Sequence, residues 1–325
     1  MPNFFWSQLF ITPPYPKGSY EGKTIVVTGS NTGLGKEAVR HYIRMGAERV
    51  IIAVRSLGKG HAAKADIEQT THCRPSIIQV WQLDMASYTS VQSFAERANK
   101  ELDRIDIFNA NAGMARGYYS TAEDNETMVT VNFISTFLLA ALVMPKLKET
   151  ASRYDTRPTF CITGSGAHRH TSFPQKTAPE GKLLNTVNEQ AFAETHMSDQ
   201  YPVSKLLGVL ALRRFAELHP ANEYPVTVNI ADPGLCHSEL AREATSFGFW
   251  LFRQVLARTT EVGSRTIVHG GSADAVTHGR YLSSCAVEDP SELCLTPEGK
   301  ELSRRIWSEL ETKLEATCPG VMRNF

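Results

Sequence analysis

The sequence has no excess charge of either sign. Among 325 residues, Lys plus Arg number 34 and Asp plus Glu number 34, so the formal net charge is zero. A chain that neutralises nucleic-acid phosphates needs a basic surplus, and none is present. A local basic pocket for a single phosphate is still compatible with this balance. The sequence also lacks metal-type spacing of cysteines. Cys73, Cys161, Cys236, Cys285, Cys294 and Cys318 form no CxxC pair and no His/Cys cluster with zinc spacing, so no metal is expected. They read as buried or idle thiols in a reducing compartment, with the cytoplasm as the expected location. Internal repeats and low-complexity segments are missing too.

The apolar N-terminal stretch MPNFFWSQLFITPPYP has neither a basic n-region nor a small-residue cleavage site. Pro13, Pro14 and Pro16 end it after about a dozen residues, too short to span a bilayer, and no transmembrane segment is expected. Residues 1–20 are read as an arm packing on the domain's own surface. A shallow peripheral membrane contact is the other reading, although the basic polar face usual for interfacial helices is missing.

Hydrophobic residues make up 42% of the chain and charged residues 21%, enough for a real core. Short β-branched runs alternate with longer helical stretches. Strands are expected at 24–27, 50–54, 77–83, 105–108, 159–162 and 226–230. Helices are expected from the first glycine loop to about Met45, over 91–102, 125–147 and 201–218, and near the C-terminus over 297–314. Continuous apolar strands between helices imply a parallel sheet covered on both faces. The expected fold class is therefore α/β, a doubly wound parallel sheet of Rossmann type, with 21–325 as one domain.

The segment Thr28-Gly29-Ser30-Asn31-Thr32-Gly33-Leu34-Gly35 follows the first strand and opens a helix. Gly29 allows a sharp turn, while Gly33 and Gly35 let the backbone approach a pyrophosphate. The helix N-terminus then offers free N–H groups and a positive dipole to the anion. About twenty residues on lies Arg55, where an acid would bond the ribose of NAD. An arginine there without an acid suits a 2′-phosphate, so NADP (NADPH) is the expected cofactor; the other reading of Arg55 is a solvated surface residue. Asp84 after the third strand and Asn111-Ala112-Gly113 after the fourth fall on the adenine and ribose side. Taken singly, they read as a helix N-cap and a turn.

Tyr201-Pro202-Val203-Ser204-Lys205 puts Tyr201 and Lys205 on one helical face, with Pro202 expected in the first turn. A free tyrosine has a pKa near ~10, and a neighbouring ammonium is expected to lower it, allowing proton transfer near neutrality. Ser165 follows the fifth strand, where its hydroxyl can bond the reacting oxygen. Asn132 is an amide in an apolar stretch, expected to hold a water or a backbone group.

These motifs resemble the short-chain dehydrogenases/reductases. The resemblance covers roughly Lys23 to Leu282 and rests on TGSNTGLG at 28–35, Asp84, NAG at 111–113, Asn132, Ser165, YPVSK at 201–205 and Pro233-Gly234. It implies a catalytic set of Asn132, Ser165, Tyr201 and Lys205. In that set Tyr201 is the acid/base, Ser165 polarises the carbonyl, Lys205 positions the cofactor ribose, and Asn132 supports a proton-relay water. Ser238 matches the family's hydroxyl residue beside the nicotinamide amide. The segment between Ser165 and Tyr201 is far longer than the dozen or so positions common in the family. It is similar to the retinol-dehydrogenase-like branch, and the whole chain to fungal members of secondary metabolism, often ketone reductases on polyketide or terpenoid skeletons. His168 and His170 within the insertion are read as loop histidines.

The region about 235–260, with Phe247, Phe249, Trp250 and Phe252, corresponds to the family's substrate cover. Its apolar content suits a bulky, poorly soluble substrate; helix packing explains it equally well. The region beyond residue 282 is expected to close the domain or form the edge of a homodimer. The resulting expectation is an oxidoreductase passing hydride between NADP(H) and a ketone/secondary alcohol. Two rivals are a non-redox step on the same fold (dehydration, epimerisation or cyclisation) and a non-enzymatic NADP-binding protein.

Overall fold

The computed structural model describes residues 4–241 and 247–325, with side chains described outside 241–251. A short arm helix, α1 (Phe4–Phe10), precedes strand β1 (Thr24–Thr28), whose five residues are all buried. The chain continues through α2 (Gly33–Arg44), β2 (Arg49–Val54), α3 (Leu57–Thr71), β3 (Ile78–Gln82) and α4 (Tyr88–Glu101) to β4 (Ile107–Ala110). Next come α5 (Ser135–Tyr154), β5 (Thr159–Thr163), α6 (Met197–Leu218), β6 (Thr227–Asp232), α7 (Phe247–Leu256) and α8 (Thr260–Gly271). Strands β7 (Tyr281–Ser283) and β8 (Ala286–Glu288) and helix α9 (Pro297–Thr317) complete it.

The sheet order is β8-β7-β6-β5-β4-β1-β2-β3. All neighbours pair parallel except β8, which runs antiparallel on β7. This is the expected Rossmann-type sheet, extended by two short edge strands. The strand order reverses between β1 and β4, opening a crevice at their carboxyl ends. Buried residues of α2 and α8, among them Val39, Tyr42, Ile267 and Val268, cover one face. The other face packs on α4, α5, α6 and α9 through Phe94, Phe137, Leu206, Phe215 and Trp307. The continuous helical run Thr127–Tyr154 is long and apolar enough to cross a membrane. Nearly all of its most apolar window is buried, so it serves as a core helix.

Several boundaries differ from the sequence reading. Helix α6 begins at Met197, so Pro202 lies beyond the first turn. The preceding insertion sets this start: the Thr171 hydroxyl donates to Asp199 Oδ2 at 2.6 Å, and Asp199 N–H bonds the His196 carbonyl at 2.8 Å. The long helix starts after a tight hairpin, Thr121–Ala122 against Asn125–Glu126, and runs on to Tyr154. The C-terminal helix packs on the domain, burying Leu302, Ile306, Trp307, Leu310 and Leu314. The arm touches its own domain at α7 and Arg258. Phe4 stacks on Phe252 with ring centroids 6.2 Å apart, and Arg258 donates to the Ser7 and Ile11 carbonyls at 2.8 and 2.9 Å.

Candidate functional site

The glycine loop leaves β1 through Gly29 at φ +62° and enters α2 through Gly33 at φ +58°, a conformation that favours glycine. Gly35 is required for another reason. A Cβ there would meet Asn111 Nδ2 at 2.5 Å and the Gly29 carbonyl oxygen at 2.8 Å. Thr32 is the N-cap of α2 but makes no side-chain capping bond, so Gly33, Leu34 and Gly35 begin the helix without a side-chain cap. Together with Asn31, these residues form a close-packed backbone cradle at the crevice, the geometry that suits a pyrophosphate. Arg55 is exposed just past β2, and its guanidinium makes no ion pair or hydrogen bond among the described residues. Asp84 is not a helix N-cap: Oδ1 accepts from Ala86 N–H at 3.0 Å, while Ser87 caps α4.

Asn111 ties three strand ends together. Its Nδ2 donates to the Thr28 carbonyl at 2.9 Å, and its Oδ1 accepts from the Thr163 hydroxyl at 3.4 Å. Ala112 N–H donates to Thr28 Oγ1 at 2.8 Å, and a Cβ on Gly113 would lie 3.2 Å from Asn132 Oδ1 and 3.5 Å from Lys205 Nζ. The π-helical turn Thr130–Ile134 presents Asn132. Its amide holds backbone: Oδ1 accepts from Met114 N–H, and Nδ2 donates to the Met114 carbonyl and to Ser204 Oγ, each at 2.9 Å.

Lys205 Nζ donates to the Thr163 carbonyl at 2.9 Å and lies 5.9 Å from the Tyr201 ring centroid. The Ser165 hydroxyl interacts with Tyr201 and accepts from Ala167 N–H at 3.2 Å. Asn132, Ser165, Tyr201 and Lys205 thus converge beside the 111–113 loop. The expected lowering of the tyrosine pKa is not found. Burial pushes the Tyr201 phenol up to about 12, against the pull of Ser165, and Asp232 adds to the rise. Burial brings the Lys205 ammonium down to about 8, with Asp232 opposing. Desolvation outweighs the attraction that helical spacing alone suggested.

Pro233 and Gly234 form the turn after β6, with Gly234 at φ +76°. Ser238 faces Gly33, whose added Cβ would lie 3.9 Å from Ser238 Cβ. Of the aromatics on α7, the side chains of Phe247, Phe249 and Trp250 lie outside the described residues. Phe252 packs on the arm. His168 is buried to 1% exposure: its ring accepts from Ser291 N–H at 3.0 Å and meets the Ser165 carbonyl at 2.7 Å. It braces the Ser165 loop. Sequence reasoning missed Thr28, Ser204 and Asp232. For Asp232 the only signal was a charge ending an apolar strand immediately before Pro233-Gly234.

The short chain dehydrogenase family model matches residues 23–153. A curated short chain dehydrogenase/reductase of Cryptosporiopsis sp. (strain 8999) is 60% identical over 99% of both chains. This chain belongs to the short-chain dehydrogenase/reductase family. Among solved structures it is similar to the Pseudomonas aeruginosa RhlG/NADP active-site complex, with a TM-score of 0.60, 20% identity, and 82% and 95% of the two chains covered. A 7α-hydroxysteroid dehydrogenase complexed with NADH and 7-oxo glycochenodeoxycholic acid gives a TM-score of 0.59 at 18% identity, covering 82% and 93%. At these identities the likeness shows the fold alone. The protein is an oxidoreductase-family member built on a nicotinamide-binding fold.

Proposed function

We propose that the protein transfers hydride between NADP(H) and a ketone/secondary alcohol of a bulky apolar metabolite, in fungal secondary metabolism. The observation that carries the reading is the convergence of Tyr201, Lys205, Ser165 and Asn132 beside a glycine cradle that side chains would fill. The cradle at 29–35 and the loop 111–113 would hold the dinucleotide, with Pro233, Gly234 and Ser238 bordering its nicotinamide end. When bound, the nicotinamide supplies or accepts the hydride. In reduction, Ser165 donates a hydrogen bond to the carbonyl oxygen and the neutral Tyr201 phenol gives it a proton. Lys205, anchored on the Thr163 carbonyl, holds positive charge beside the phenol, and Asn132 fixes the Met114 backbone at the crevice wall. The unpaired guanidinium of Arg55 favours a 2′-phosphate over a ribose hydroxyl. The relative from Cryptosporiopsis supports a fungal setting.

Three measurements test this. Tyr201→Phe is expected to lower turnover by about 10²–10⁴-fold while NADPH affinity stays within a small factor. A fully active Tyr201→Phe enzyme refutes the proton-transfer role. Arg55→Ala is expected to weaken NADPH binding by about 10–100-fold and to leave NADH binding unchanged. Equal losses for both cofactors refute the NADP assignment. Following absorbance at the NADPH band during turnover separates hydride transfer from a non-redox step.

A further inference from the structure

A buried carboxylate outside the Tyr201, Lys205, Ser165 and Asn132 set stands at the end of β6. Asp232 is 6% exposed, and both of its oxygens are engaged. Oδ1 accepts from Gly234 N–H at 2.9 Å, which closes the turn that carries Pro233. Oδ2 accepts from the Tyr281 hydroxyl at 2.7 Å. The same oxygen borders the Ser165 loop: a Cβ on Gly166 would lie 3.2 Å from it. One strand away, Thr163 pairs in register with Ala231, and its carbonyl anchors Lys205 Nζ. The carboxylate is thus held between the turn after β6 and the strand end that seats the lysine.

We propose that Asp232 is a positioning residue: its carboxylate pins the Pro233-Gly234 turn and keeps Lys205 in its ammonium form beside Tyr201. A buried carboxylate is costly unless its oxygens are satisfied and a cation lies near, and both conditions are met here. Lys205 on α6 lies within electrostatic reach of it, and Arg258 Nη1 donates to the neighbouring Pro233 carbonyl at 3.3 Å. A third cation, Arg169, lies over the Tyr281 ring at 5.2 Å and pairs with Glu288 at 3.7 Å. Arg258, bonded to Pro233, Ser7, Ile11 and Ser284, and Arg169, bonded to the Asp289 and Pro290 carbonyls, stay charged as guanidinium groups, so Lys205 is the cation whose charge state can respond. The other titratable neighbours are neutral near pH 7 or anionic. His168, Tyr201, Tyr281 and Cys236 are held neutral by burial, and burial raises the Glu288 carboxyl on β8. Asp232 also raises the Lys205 value against the larger effect of burial.

The significance for turnover rests on the function proposed above, but the test does not. Full-length protein carrying 13C at lysine Cε is titrated by NMR without substrate or cofactor, the Lys205 resonance being identified by its loss in Lys205→Arg. The wild-type midpoint is expected near about 8. Asp232→Asn keeps the shape and removes the charge, and is expected to lower that midpoint by about one pH unit. Tyr281→Phe keeps the charge and is expected to leave the midpoint in place. An unchanged midpoint in folded Asp232→Asn overturns the proposal, as does an equal fall in Tyr281→Phe, which would make packing the cause. If Asp232→Asn does not fold, Asp232→Ser carries the same expectation and the same refutation. Failure of NADPH turnover in the wild type sinks the functional reading and leaves this titration standing.

Discussion

Burial acts on Tyr201 and Lys205 in opposite directions. It holds the phenol protonated far above neutrality and makes the ammonium easier to lose. With its pKa depressed to about 8, Lys205 is charged below that pH and neutral above it. Carbonyl reduction needs a neutral phenol and a cation beside it, so reductive kcat/KM is expected to fall as pH rises through about 8. Lys205→Arg keeps the charge at all accessible pH and should remove that basic limb, although its longer fork lowers the absolute rate. pH profiles measured with NADPH decide this, and an unmoved limb in Lys205→Arg contradicts it. The pairing of these residues was legible in the sequence because four positions make one helical face. The sign of the tyrosine shift was not, because desolvation depends on neighbours from distant strands and loops.

At the scale of elements, the insertion between β5 and α6 has a structural task the sequence did not show. His168 joins the Ser165 carbonyl to the Ser291 amide, so the insertion and the segment after β8 together hold the serine loop. Burial lowers its imidazole to about 4 from an ordinary value of 6.5. The unfolded chain therefore binds more protons than the native one between these values. The stability His168 contributes is present above about 6.5 and is lost as pH falls towards about 4. This loss amounts to about 3 kcal/mol at most. His168→Gln is expected to be less stable at pH 7 by about 1–3 kcal/mol and to show a flatter decline in acid. Urea unfolding at pH 7 and pH 4.5 checks this, and parallel declines in both proteins count against it. The glycine loop was readable because its spacing alone sets where backbone can approach. The bracing histidine was not, since its partner at Ser291 is far away in sequence.

Over the whole molecule, the face of the sheet opposite α2 and α8 is completed by α9, the last long element. Trp307 is 3% exposed, and its ring lies 6.3 Å from Phe137, 5.9 Å from Phe215 and 5.8 Å from Phe325. It joins three separate parts of the chain into one core. Trp307→Ala is expected to cost about 3–5 kcal/mol, the usual cost of removing a large buried aromatic. Denaturant unfolding followed by circular dichroism measures it, and a loss under about 1 kcal/mol would show that α9 is only loosely attached. The N-terminal arm shows the same dependence on distant contacts. Its helix end is held by the buried Arg258, while Phe5, Trp6, Leu9 and Phe10 remain exposed.

The sequence by itself determined the alternation of strands and helices, the parallel sheet, the glycine loop and the residues Asn132, Ser165, Tyr201 and Lys205. Each of these is a local pattern: periodicity, turn chemistry or a fixed spacing. Only the tertiary structure decided that Asn132 grips backbone, that Pro202 sits beyond the first turn, that two three-residue strands extend the sheet, and that Asp232 bonds the Gly234 amide and the Tyr281 hydroxyl. Those outcomes depend on which distant groups are brought together and how far water is excluded between them. Burial and long-range pairing leave no period in a sequence.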